Sequence, residues 1–192
     1  MRFDKILALL VLTFTMVQCN DDTSTGTDLP QGCQAQGVFA IGVLDTNLTC
    51  IPTNAYADAE EVLGAPDFDR AGDGKLEFVG FLSLGVEGNA TFYMGSCIQD
   101  QPGADLRVYQ AVAGEAVEVQ VSSNENGPFT SLGTQPCSGT CDFDLAGSGV
   151  NNVRVVKLVD QAPTQAPDAR CDNVGPSPGA DIDAMEVLHP GS

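Results

Sequence analysis

Asp181 and Asp183 stand one residue apart, so on an extended strand both carboxylates project from one face and Ile182 from the other. Like charges that close oppose each other's ionisation unless a cation or donor offsets them, and a hard cation such as Ca2+ takes several oxygens. Asp67 and Asp69, or Asp105, would complete such a shell. Asp67, Asp69, Asp181 and Asp183 are therefore a candidate calcium site, with a solvated acidic loop as the competing reading. The segment 67–77 (DFDRAGDGKLE) is oxygen-rich, yet its acidic positions and glycines do not fall in EF-hand register.

A second constellation is Arg107 and Tyr109, which share one strand face and offer a ligand carboxylate or hydroxyl a charged donor beside a phenol. An ion pair at the surface and a half-buried tyrosine account for the same two residues. The chain has no Trp and three Tyr, so stacking on sugars has few candidates; Tyr56, near Asp67 in sequence, is the third ligand-binding candidate. Catalytic readings are thin. His189 is the single histidine, which leaves no general base for a His-based triad beyond that one residue, and only spatial separation can turn any of the 26 acidic residues into a glycosidase pair. The expectation is a protein that is not an enzyme, with a weak carboxylate-pair glycoside hydrolase as the catalytic alternative.

Seven cysteines are an odd number for an exported chain. Arg2 and Lys5 precede an apolar run over residues 6–17, too short to span a bilayer and suited to the core of a signal peptide. Met16-Val17-Gln18-Cys19 resembles a bacterial lipobox, although Gln18 stands where such motifs carry Gly, Ala or Ser. Lipidation of Cys19 would leave six cysteines, and the alternative is simple secretion. Six thiols in an oxidising compartment make three disulfides with 15 possible connectivities. Proximity favours Cys33 with Cys50 and Cys137 with Cys141, which leaves Cys97 for Cys171. A metal reading of Cys137-Ser-Gly-Thr-Cys141 is weaker, because no second close cysteine pair or neighbouring histidine accompanies it.

The formal net charge of −18 makes nucleic acid and anionic head groups poor partners, since both need clustered Lys or Arg. Membrane attachment would then come from the lipid alone. The same charge favours cations, or serves solubility.

These residues need elements to position them. Residues 1–19 read as the signal segment, 20–32 as a polar tether, and 33–192 as one disulfide-bonded domain. Alternation is clearest over residues 116–122, where Val117, Val119 and Val121 oppose Glu118 and Gln120. Further strands are predicted over 76–84, 89–94, 106–112, 152–159 and 182–188, separated by Gly, Pro, Asn and Asp. Residues 124–127 (NENG) suggest a hairpin connection, residues 58–63 one helical turn, and residues 162–178 a Pro-rich loop. Many strands and no covering helix predict an all-β antiparallel β-sandwich.

A family resemblance runs over residues 55–190 in short pieces of fixed order: Leu63-Gly-Ala-Pro-Asp67, Phe81-Leu-Ser-Leu-Gly-Val86, Gly103-Ala-Asp-Leu-Arg-Val-Tyr109, Val117-Glu-Val-Gln-Val-Ser-Ser-Asn124, Phe129-Thr-Ser-Leu-Gly133, Phe143-Asp-Leu-Ala146 with Val153-Arg-Val-Val156, and Gly179-Ala-Asp-Ile-Asp-Ala-Met-Glu186. The chain resembles bacterial cell-surface proteins with a discoidin-like, galactose-binding-like jelly roll. The resemblance implies a non-catalytic binding or adhesion module of the cell envelope, with a sugar, lipid head group or peptide held in end loops and, in many members, a structural calcium. The bland alternative is a structural surface protein without a small ligand.

Overall fold

The computed structural model describes residues 36–50, 56–68, 80–161 and 178–191. The segments expected to be a signal (with Cys19) and a tether, together with Cys33, Asp69 and Cys171, lie outside these residues. Nine strands occur among the described residues: β1 (Ala40–Asn47), β2 (Leu82–Ser83), β3 (Asn89–Ile98), β4 (Leu106–Gln110), β5 (Ala116–Ser122), β6 (Thr130–Pro136), β7 (Thr140–Phe143), β8 (Val153–Asp160) and β9 (Asp181–Val187). A 3₁₀ turn at Ala59–Val62 is capped by Asp58, whose carboxylate accepts the Glu60 N–H at 3.0 Å.

The strands form two antiparallel sheets, one in the order β1-β3-β8-β5-β6 and the other β2-β9-β4-β7. Only the step from β5 to β6 stays within a sheet; every other consecutive pair changes sheet. The sheets pack through Ala90, Phe92, Val119, Val156 and Leu158 on one side and Leu82, Leu106, Val108, Ile182 and Met185 on the other. The chain is an all-β antiparallel sandwich. Val117, Val119 and Val121 are fully buried while Glu118 and Gln120 are half-buried on the opposite face, which is the alternation read from the sequence.

β5 spans the predicted residues, and the predicted hairpin joins it to β6. β3 runs four residues past the predicted end, with its register to β8 broken between Tyr93 and Ile98. β1 and β7 carry weak periodicity in sequence: β1 has register shifts on both sides of Gly42 and Val43, and β7 has four residues.

Cys137 and Cys141 form the proximity-favoured disulfide, with Cα atoms 4.9 Å apart, and join the end of β6 to the start of β7. Cys50 and Cys97 are also disulfide-bonded, and the cysteines assigned to them by proximity and elimination lie outside the described residues. Near Cys50 the backbone is tightly apposed. Gly85, at φ +74°, lies so close to Thr49 that a Cβ would sit 1.7 Å from the Thr49 carbonyl oxygen. A side chain at that position has no room, and the Thr49 hydroxyl closes the contact by donating to the Val86 carbonyl.

Leu158 is fully buried between the sheets. Leu158→Ala is expected to lower unfolding free energy by about 2–5 kcal/mol, and Glu118→Ala on the outer face by less than about 0.5 kcal/mol, measured by urea denaturation.

Candidate functional site

β4 and β9 slip in register where Tyr109 faces Ala184 and Gln110 faces Ile182, so Asp183 is the extra residue of a β-bulge. The bulge sends Asp183 and Asp181 to different partners. Asp183 accepts the backbone N–H groups of Asp67 at 3.1 Å and Phe68 at 3.3 Å. Burial pushes its pKa up, the two N–H groups offset part of that, and the Asp67 charge adds to the rise. The Asp183 carboxylate therefore fastens the 67–68 segment to β9. Beside it Tyr56 stacks on buried Phe81 with centroids 5.0 Å apart, and Phe68 meets the same ring edge-on at 5.4 Å. Tyr56 thus has a ring partner within the protein.

Arg107 and Tyr109 face outward from β4 as their spacing predicts, each with a side-chain partner. The Arg107 guanidinium donates to both Asp142 oxygens at 2.7 and 2.8 Å, and the Tyr109 hydroxyl donates to Glu186 at 2.6 Å. Asp142 is held below its ordinary pKa by Arg107, and Tyr109 is held above its own, chiefly by the bond to Glu186. Both partners stand opposite Arg107 on the neighbouring strands β7 and β9.

At the end of the sandwich where β4 stops and β5 and β9 begin, Asp181 joins a different group. Glu115, Asp160 and Asp181 are close enough that burial first, then the charges of Asp181 and Asp160, raise the Glu115 pKa to about 8, against a smaller opposing effect of the Asp181 backbone N–H. Asp160 is buried and accepts the N–H groups of Ala180 at 2.8 Å and Glu87 at 3.0 Å. Gln110, 5% exposed, donates from Nε2 to the Glu115 carbonyl at 3.3 Å. Glu115 Oε2 and Gln110 Oε1 are buried acceptors that meet no donor among the described residues.

At the opposite end Asp100, Asp105 and Asp144 bring one oxygen each within 4.8 Å of one another, the one such acidic trio among the described residues; Asp67, Asp181 and Asp183 do not form such a group. Asp105 is fully buried and accepts the N–H groups of Gln101 at 2.9 Å and Leu145 at 2.8 Å, tying two loops together.

Sequence reasoning did not single out the groove on the outer face of the five-stranded sheet. Register aligns Asp45, Thr91, Lys157 and Gln120 across β1, β3, β8 and β5. A bulge between Val43 and Asp45 turns both Leu44 and Asp45 onto this face. The β5–β6 connection supplies Glu125, Asn126 and Phe129, and together they enclose about 370 Å³. Lys157 Nζ lies over the Phe129 ring, 5.9 Å from its centroid. Lys157 forms no ion pair among the described residues; Arg107 with Asp142 is the ion pair found there. The one sequence signal for this site was the cation at an outward position in the apolar run 153–159.

Comparison with family models, curated proteins and solved structures found no match, so the site is read from its own geometry. Two outcomes follow from that geometry. Asp183→Ala leaves two backbone donors without their acceptor and is expected to cost about 1–3 kcal/mol in urea denaturation, with Asp183→Asn, which keeps an acceptor, costing less. Glu115 has a folded pKa above its unfolded value, so the stability it contributes is full below about pH 4.5 and is lost as pH rises through about 8. With chelator present, the melting temperature should fall across that window in the wild type, and the fall should be smaller in Glu115→Gln.

Proposed function

We propose that the chain is a non-catalytic binding or adhesion module of a bacterial cell envelope, exported and held by a lipid at Cys19, that takes a glycan in the groove over its five-stranded sheet. The strand order supports the finer reading as a jelly roll: the chain passes from one sheet to the other at every step except β5 to β6. The disulfide at Cys137–Cys141 fits an oxidising compartment.

The observation that carries the ligand reading is the composition of the groove. Its volume lies at the small end of the roughly 300–1,000 Å³ common for ligand pockets. Asp45 and Lys157 lie two strand spacings apart, about 10 Å, with Thr91 between them. Carboxylates at Asp45 and Glu125, the Asn126 amide and the Lys157 ammonium give acceptors and donors around a floor of Thr91, while Leu44 and Phe129 give apolar surface. Hydroxylated ligands use both kinds of contact. The Phe129 ring holds the ammonium in place without neutralising it as a carboxylate would.

Glycan-array screening followed by NMR titration tests this reading. The expected result is a glycan whose addition shifts the resonances of Thr91, Phe129 and Lys157. Lys157→Ala and Phe129→Ala should each weaken binding at least about tenfold, equivalent to about 1.4 kcal/mol, while Arg107→Ala leaves it unchanged. Silence across glycans, or binding that Lys157→Ala and Phe129→Ala leave intact, sinks the proposal.

A further inference from the structure

On the strands outside the groove, charged side chains that face outward have partners within the protein. Arg107 pairs with Asp142, Glu186 accepts from Tyr109, Glu118 accepts from the Gln161 amide at 3.2 Å, and the Arg154 guanidinium donates to the Tyr93 hydroxyl at 3.1 Å. The groove differs. Asp45, Glu125 and Lys157 all line it, and none of the three forms a side-chain hydrogen bond or ion pair among the described residues. Sheet order explains why they stay unpaired. Asp45 and Lys157 lie on one row, but β3 runs between their strands and sets them about 10 Å apart, with Thr91, 4% exposed, as the floor between them. Glu125 stands on the β5–β6 connection, and Lys157 rests over the Phe129 ring instead of reaching a carboxylate. Whatever fills the groove displaces the water around these charges. A ligand without charges of its own would leave them uncompensated, which costs free energy. An anionic ligand meets Asp45 and Glu125 in a chain of net charge −18, and a cationic one leaves Lys157 unmatched.

We infer that the groove selects a glycan carrying charges of both signs, with a free sugar amine taken by Asp45 and Glu125 and a sugar carboxylate taken by Lys157. This rests on the reading of the groove as a glycan site and adds the charge class of the ligand. The ammonium of the sugar donates to the two protein carboxylates, and the sugar carboxylate accepts from Lys157 Nζ. Because the protein charges are held apart by a regular ladder, the two ligand charges must be separated to match, which places them on different sugar units.

The probes are three forms of one tetrasaccharide of alternating glucuronic acid and glucosamine: amines free, amines N-acetylated, and amines free with the carboxylates reduced to alcohols. Each is titrated into the full-length protein at low salt, by NMR and by calorimetry. The form with both charges is expected to shift Thr91, Phe129 and Lys157 and to bind at least about threefold more tightly than either other form. Its preference over the N-acetylated form should vanish when Asp45→Asn is combined with Glu125→Gln, and its preference over the reduced form should vanish in Lys157→Gln. Equal binding of the three forms by the wild type, or preferences that these variants retain, overturns the charge assignment and leaves the groove as a glycan site. Silence from all three overturns the assignment as well, and the glycan array alone then decides the groove. Should a variant not fold, the wild-type comparison of the three forms decides by itself.

Discussion

Buried carboxylates accepting pairs of backbone N–H groups hold the connections of this sandwich in place. Asp105 takes Gln101 and Leu145, Asp160 takes Glu87 and Ala180, and Asp183 takes Asp67 and Phe68. Because nearly every consecutive pair of strands changes sheet, the connections must cross the open ends of the core, where their N–H groups have no ladder to join. A buried donor without a partner costs about 1–3 kcal/mol. One aspartate side chain, with an acceptor on each oxygen or a shared one, satisfies two at once. Each pin therefore links a loop to a strand end, and the sheets can be short without the loops detaching.

The acidity of the chain divides accordingly. The pinned aspartates are structural, and the N–H groups around them keep a carboxylate tolerable in a dry setting. Arg107 with Asp142 and Tyr109 with Glu186 form cross-strand pairs on the outer face of the smaller sheet, where a half-exposed ion pair contributes at most about 1 kcal/mol and fixes side-chain positions more than stability. Glu115 stands apart from both classes. Burial and two neighbouring carboxylates act on it in one direction and a single N–H in the other, so its environment favours the protonated form.

The fold was legible where alternation was strong. Val117, Val119 and Val121 sit on one face because a half-buried strand has period two, and that pattern survives any choice of neighbours. It faded at β1 and β7. β1 is bulged twice, and β7 has four residues, too few to show a period. Asp181 and Asp183 illustrate a sharper limit. Their spacing implies a shared face, yet a bulge at Asp183 breaks the period and sends one to the 67–68 backbone and the other toward Glu115. Bulges arise from pairing between distant strands, so local spacing does not reveal them. Cys137 with Cys141 was readable from proximity because a separation of four in a tight turn brings the Cα atoms to 4.9 Å.

The groove was hidden for a related reason. Its parts come from β1, β3, β8 and the β5–β6 connection, with Asp45 and Lys157 112 positions apart in sequence, and only sheet order makes them neighbours. Once that order is set, the chemistry follows from position. Thr91 and Lys157 face each other across a regular ladder, which holds their separation constant, while the bulge at Leu44 and the loop at Glu125 and Asn126 raise walls on either side. A rigid floor with irregular walls suits recognition, since the ladder preorganises the donors and the walls alone need adjust to a ligand. Lys157 completes the case. In a chain with 26 acidic and 8 basic residues, an ammonium has many potential partners, and this one rests over an aromatic ring and forms no ion pair with a carboxylate among the described residues. Its N–H donors thus remain available to whatever enters the groove, whereas the donors of Arg107 are already taken by Asp142.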